Sequence, residues 1–404
     1  MEQRLYAHAF LARCFFYLPI LVHHIVGGLE DAGIARSHLV SMSILALFSV
    51  GIVFAEYPSG VFADWAGRAR SLVLGSLLHA VGLVPYLIPS SPLALAIGQL
   101  IIGVGAAFRS SADTALLHAH LETVGEERRY ASALARLRFW NLAGLIASCA
   151  VGGALYAVSP QLVFGLSSAA GVLSALPLIG LEERREARER TSYMHVLRES
   201  LHETRRNRRV QALVLLGGVG TTYFLFAFWA TQAYLVETGT PPELMGYLIA
   251  LLMVLQAATM PLSARVGSDP TSNARSFPIL LVGLPLAFLA VAGAGAAGLR
   301  LSGALVLIAA SACHILYRNA VNVKLQVLVR DSVRASIVSL ESWAGSLWYV
   351  VFFPLGGWLI DSGGIGAGYA GIAAVVAATA LPLLALARRR GVWHDDPARD
   401  ASGE

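Results

Sequence analysis

The chain has 404 residues, of which 56% are apolar and only 14% charged, whereas an ordinary soluble domain is about a quarter charged. A soluble fold cannot hide that much apolar surface. The apolar residues fall in runs of about twenty, long enough to cross a hydrocarbon layer of roughly 30 Å, so the chain belongs in a bilayer. The charge balance of 30 basic to 25 acidic residues, with Lys324 the one lysine, is too even to point to nucleic acid.

Read in chain order, the runs predict helices near 6–28, 39–63, 71–89, 93–117, 139–158 and 161–181, then 210–235, 243–264, 276–298, 302–324, 337–360 and 367–387. The first run contains Arg13 and no small-residue cleavage pattern follows it, which predicts a retained helix and not a removed signal. Cys14, Cys149 and Cys313 each lie inside an apolar run, so neither a disulfide framework nor a metal site is indicated.

Cytoplasmic loops accumulate arginine and lysine. One set of alternate loops holds Arg68 and Arg70, Arg128 and Arg129, the Arg184 to Arg209 stretch, Arg265 and Arg275, Arg330 and Arg334, and Arg388 to Arg390; the other set holds only Arg36 and Arg300. This bias predicts a multi-pass protein of the cell membrane with both termini cytoplasmic. The same alternation supports the count of twelve, because one miscounted helix would exchange the two sets halfway along.

The longest loop divides the chain into a first six-helix bundle over 1–181, a linker over 182–209, a second bundle over 210–387 and a tail over 388–404. In the linker, Tyr193, Leu197 and Leu201 recur at helical spacing among arginines. This reads either as an amphipathic helix on the anionic inner leaflet or as a solvated charged segment. The halves echo each other: Arg109 and Asp113 correspond to Arg318 and Asn322, and Gly152-Gly153 to Gly356-Gly357.

Between the second and third helices the chain reads Gly60-Val-Phe-Ala-Asp64-Trp-Ala-Gly67-Arg68-Ala-Arg70. This resembles the signature of the major facilitator superfamily of transporters, bacterial type, in the loop where that family carries it. The resemblance implies an all-α integral membrane fold of twelve helices in two pseudo-symmetric six-helix bundles. It also implies that Gly60, Asp64, Gly67, Arg68 and Arg70 form a cytoplasmic gate, with Gly60 allowing close helix approach and Asp64 accepting from a helix N-terminus. The chain departs from the family pattern in three places. Trp65 stands where a basic residue is usual, Gln99 precedes Gly103 and Gly105 where many members carry arginine, and Ser148-Cys149 replace the Gly-Pro of drug/proton antiporters.

Ionisable groups in hydrocarbon are costly unless paired or wetted, so Arg13, Glu56, Arg109, Asp113, Arg318 and Glu341 are candidates for a substrate or proton-coupling site. Counting from helix ends puts all six in the cytoplasmic half, with Arg109 and Asp113 a local pair at i,i+4. They read either as gate ion pairs or as a site where Arg13 and Arg318 bind an anion while Glu56, Asp113 or Glu341 takes a proton. Tyr17, Tyr223, Phe226, Trp229, Gln232, Trp343, Trp348 and Tyr349 are candidates to line the cavity. His314 is a candidate proton sensor. His23, His24, His118 and His120 lack a metal-ligand arrangement, and no metal is expected.

No nucleotide-binding loop of the Gly-x-x-x-x-Gly-Lys-Ser/Thr kind is present. The reading is therefore a secondary transporter, not an enzyme, working by alternating access. It needs no cofactor and has a small-molecule substrate, protons or another coupling ion, and the lipid bilayer as partners, with no nucleic acid and a monomeric state. Efflux of an amphipathic or anionic compound is the preferred direction and proton-coupled uptake the alternative. A lipid-modifying enzyme and a non-transporting receptor on the same fold are the rivals from other classes.

Overall fold

The computed structural model describes residues 1–88, 91–110, 112–181, 204, 206–268, 270–329 and 334–393, without the side chains at 263–268, 270–275, 326 and 334–336. The linker helix expected around Tyr193 to Leu201 and most of the tail lie outside the described residues.

The helices are α1 (Glu2–Leu11), α2 (Leu21–Asp31), α3 (Ser37–Ala66), α4 (Arg68–Gly82), α5 (Pro92–Arg109), α6 (Ala112–Thr123), α7 (Tyr130–Val158) and α8 (Pro160–Ala175). They continue with α9 (Arg208–Glu237), α10 (Pro242–Ser268), α11 (Pro270–Ala296), α12 (Arg300–Ala312), α13 (His314–Leu328), α14 (Arg334–Gly363) and α15 (Tyr369–Arg389). Pairing α1 with α2, α5 with α6 and α12 with α13 gives twelve crossings in the predicted order. Among the described residues ten helical stretches are long and apolar enough to cross a membrane. The last of these, Ile337–Arg389 at 53 residues, contains both α14 and α15, and the first crossing is missing from the ten because it is broken.

The starts and stops follow local chemistry. Proline opens α5, α8, α10 and α11, where the missing N–H is one that a helix leaves unpaired anyway. Ser91 caps α5 by accepting from the Ala94 N–H at 3.3 Å. Gly67, at φ +102°, turns the chain between α3 and α4 in a conformation that a side chain resists.

Three predicted crossings are interrupted. The first runs as α1, a non-helical stretch, a 3-10 turn at Leu18–Ile20 and then α2. Pro19 lies in that turn, where it supplies no N–H and disfavours helical backbone before it. The fourth crossing stops at Ser110, whose ψ of 125° is extended, and resumes at Ala112 as α6. The tenth bends at Cys313.

The contacts divide the chain into two units. The first groups Met1–Arg188 with Trp229–Val254 and Val350–Ser362, and the second groups Glu189–Phe228, Leu255–Tyr349 and Gly363–Glu404. In the first, α3 and α5 pack backbone to backbone. A Cβ on Gly103 would stand 2.1 Å from the Phe48 carbonyl oxygen, so only glycine permits this approach. A buried cluster of Leu5, Leu72, Leu116, Leu121 and Leu137 ties α1, α4, α6 and α7 together. Also within the first unit, α7 meets the start of α10: a Cβ on Gly153 would lie 2.0 Å from the Pro242 carbonyl oxygen and 2.9 Å from the Gly246 nitrogen. In the second unit, α9 lies against α13 and α14, with Tyr317 donating to the Leu216 carbonyl at 2.6 Å and Gly218 against Gly345.

Candidate functional site

The break in the first crossing exposes backbone that a continuous helix would have kept for itself, and Arg109, the last residue of α5, uses it. One Nη donates to the Ala12 carbonyl at 3.2 Å, and the other lies 3.2 Å from Nδ1 of His79 on α4. The Arg109 guanidinium carbon sits 5.7 Å from the centre of the Phe15 ring, and that of Arg13 sits 5.9 Å from the same ring. The His79 ring stacks on Phe15 at 4.7 Å. His79 is buried and its Nε2 has no hydrogen-bond partner. Two guanidiniums thus lie near one aromatic ring, on which the His79 imidazole stacks.

Neither arginine has a carboxylate within 4 Å among the described residues. The expected pair of Arg109 with Asp113 is not made, because the interruption at Ser110 removes the helical register that i,i+4 spacing needs. Asp113 sits in the first turn of α6 and accepts from the Thr114 N–H at 2.7 Å. Its charge still acts on Arg13 and Arg109 from beyond ion-pair distance. Arg13 is exposed and Arg109 half-buried.

From this cluster a column of rings runs through the first unit. Tyr17 stacks on Phe164 at 5.9 Å, Phe164 on Tyr86 at 5.2 Å, and His24 lies 4.6 Å from Phe164. His24 Nδ1 reaches the Tyr156 hydroxyl at 3.2 Å. Gln232, expected to line a cavity, is fully buried and both ends of its amide are committed. Its Nε2 donates to the Leu18 carbonyl at 3.0 Å and its Oε1 accepts from the Val22 N–H at 3.2 Å. It satisfies the backbone groups released by the 3-10 turn, which buried backbone requires.

In the second unit, Glu341 on α14 is buried and its carboxylate accepts from the Thr221 hydroxyl at 3.4 Å. Gly217 makes room for it: a Cβ there would stand 3.0 Å from Glu341 Cγ. Arg318 on α13 is exposed and acts on Glu341 through its charge, with no ion pair under 4 Å among the described residues. Tyr223 is fully buried and hydrogen-bonds Thr379, while Trp343 and His314 are half-buried, as is Trp229 of the first unit. Glu56 is half-buried on α3. The six charged candidates therefore fall into two groups, Arg13, Arg109, Asp113 and Glu56 in one unit and Arg318 with Glu341 in the other.

In the signature loop, Gly67 makes the turn, Arg68 donates to the Ala115 carbonyl at 2.8 Å, and Asp64 and Arg70 are exposed. The close helix approach expected at Gly60 is not made in this state, since a Cβ there would meet nothing within 4 Å. The device expected of Asp64 appears instead at the other end of α3. Asp361, near the end of α14, accepts from the His38 N–H at 3.1 Å and the Leu39 N–H at 2.8 Å. A carboxylate is thus placed on the positive end of α3.

His79, His38, Asp361 and Glu237 escape a search of the sequence for charges inside apolar runs. His79 is hidden by being uncharged in such a count, and the other three by standing just outside the predicted runs.

The sequence matches the family profile described as Major Facilitator Superfamily over residues 15–352. No curated protein sequence matches the chain. Among solved structures, a variant of the nucleoside transporter NupG is similar with a TM-score of 0.78 at 12% identity, over 96% of this chain and 99% of that one. A POT family transporter in complex with 5-aminolevulinic acid is similar with a TM-score of 0.74 at 12% identity, over 96% of each chain. A D-xylose-proton symporter is similar with a TM-score of 0.69 at 14% identity, over 95% of this chain and 96% of that one. At such identities the likeness speaks to the fold, and the profile match covers most of the chain. With the twelve crossings and the signature loop, these matches identify the chain as a multi-pass membrane transporter belonging to the Major Facilitator Superfamily.

Proposed function

We propose that the chain is a proton-coupled secondary transporter of a small amphipathic anion, which it binds at Arg13, Arg109 and Phe15. The observation that carries this reading is the pair of guanidiniums over one aromatic ring without a carboxylate in ion-pair range. Two cations held near one ring repel, and an anion that enters beside them supplies the missing countercharge. The Phe15 ring and the column behind it suit an aromatic or apolar part of the same molecule. A broken helix whose free backbone groups meet a polar side chain is the usual construction of a transporter site.

Glu341 is proposed as the proton carrier. A buried carboxylate with one hydroxyl partner and an arginine just out of reach gains or loses its proton according to where that arginine stands. Taking the arginine-rich loops as cytoplasmic, the end of α3 tied by Asp361 is the outer one and the signature loop, with Asp64 free of contact, is the inner one. Exchange of a tie at one end of α3 for a tie at the other would give alternating access.

The test is flux into proteoliposomes of purified protein with a panel of aromatic carboxylates and their neutral amides. The carboxylates are expected to be carried and to respond to a pH gradient, and the amides are not. Arg109→Lys keeps the charge but loses the planar fork, and is expected to weaken half-saturation at least tenfold. Accumulation driven by an acid exterior marks symport, and by an acid interior antiport. Equal transport of carboxylates and amides would overturn the anion assignment, and indifference to every ion gradient would overturn coupling.

A further inference from the structure

The tie at the outer end of α3 contains more negative charge than it needs. The two oxygens of Asp361 are occupied by the N–H groups of His38 and Leu39, which already compensate one carboxylate on a helix N-terminus. A second carboxylate, Glu237 at the end of α9, lies 3.5 Å from Nδ1 of His38, and the same nitrogen lies 3.2 Å from Asp361. The His38 side chain is 2% exposed, that of Asp361 8% and that of Glu237 33%, so the ring and one carboxylate are shut away from water. His38 Nε2 has no partner. The approach is held by backbone, since a Cβ on Gly357 would lie 2.4 Å from the His38 carbonyl oxygen.

The other charges nearby do not relieve the excess. Glu30 on α2, which accepts from the Ser37 hydroxyl at 3.1 Å, is a further carboxylate. Asp31 is another, and Arg36, in the segment joining α2 to α3, is exposed. The helix packed along α3, α5, has no ionisable side chain before Arg109. Among the described residues no arginine or lysine lies within 4 Å of Asp361 or Glu237.

We propose that His38, Asp361 and Glu237 form a proton-binding latch. With His38 protonated, its ring is a cation between the two carboxylates and ties the first turn of α3 to the ends of α14 and α9. With His38 neutral, Nδ1–H serves one carboxylate at a time and the other is left facing like charge, so the tie loosens. The proton is the ligand, and the closed tie is the state it selects. What release does for transport rests on the carrier reading above, but the latch itself is measurable without any substrate.

The experiment is double electron–electron resonance on the full-length protein in lipid nanodiscs. Spin labels are placed at Ala35→Cys and Ser362→Cys in a background lacking Cys14, Cys149 and Cys313. The ratio of long to short distances is expected to rise about 5- to 150-fold when the buffer is changed from acid to alkaline. His38→Gln is expected to abolish the pH response. Glu237→Gln, at a half-exposed site that leaves the Asp361 cap intact, is expected to shrink it. A wild-type ratio that does not move with pH overturns the latch, as does a response that survives unchanged in either variant. If flux in vesicles ignores pH gradients while the distance ratio still follows pH, coupling fails and the latch stands.

Discussion

A methyl group added at Gly153 tests whether the α7–α10 contact holds one conformation in place. In the structure that Cβ would stand 2.0 Å from the Pro242 carbonyl oxygen and 2.9 Å from the Gly246 nitrogen, where ordinary contact begins at 3.4 Å. Neither neighbour is the flexible end of a side chain, so the two helices must part by about 1.4 Å or adopt the alternative arrangement in which they do not touch. Overpacking of this kind costs about 1–3 kcal/mol, which moves a two-state balance about 5- to 150-fold. The readout is the rate at which a membrane-impermeant maleimide modifies Met245→Cys, fully buried beside Gly246, in a background free of other cysteines. Gly153→Ala is expected to raise that rate at least fivefold without loss of the monodisperse protein. Gly27→Ala, where a Cβ meets nothing within 4 Å, serves as the control. A labelling rate for Gly153→Ala within twofold of the control would refute the claim that this contact sets the conformational balance.

Three further outcomes follow from the packing. Glu341→Gln should leave exchange of labelled substrate across a vesicle membrane without gradients and abolish its acceleration by a pH gradient; an unaltered gradient response would remove Glu341 from coupling. Phe164→Ala removes the ring that touches Tyr17, Tyr86 and His24. It should cost about 3–5 kcal/mol, read as a lower thermal transition, because between helices in lipid it is packing that carries the association. Tyr317→Phe deletes the hydroxyl that donates to Leu216 at 2.6 Å and should cost about 1 kcal/mol, with a melting shift well short of that of Phe164→Ala.

The crossings were legible because lipid demands runs of apolar residues of fixed minimum length, and the signature loop was legible because it needs glycine at Gly67 for a turn at φ +102°. What the runs conceal is where helices break. Residues 6–28 read as one crossing, yet regular helix stops at Leu11 and resumes only at Leu21 after the 3-10 turn that holds Pro19, and the gap gives Arg109 its carbonyl partner at Ala12. The interruption at Ser110 has no proline to announce it, so an i,i+4 pair of Arg109 with Asp113 was expected where the chain turns aside. His79 lies in an apolar run and carries no formal charge, although its contact with Arg109 makes it part of the same cluster. The residues of the tie at the start of α3 show a different weakness. His38, Asp361 and Glu237 each fall within two positions of the end of a predicted run, where a residue is read as loop. Which loop ends meet is decided by tertiary packing and not by local pattern.

Beside its contact with the His38 ring, Asp361 caps α3 through two main-chain amides, and every residue but proline carries one. Replacement of Leu39 by almost any amino acid therefore leaves its half of the contact standing, whereas loss of the acid at 361 removes both halves in one step. Vulnerability to point mutation is in that sense lopsided: the cap on α3 depends on the acid at 361, and position 39 is free to drift.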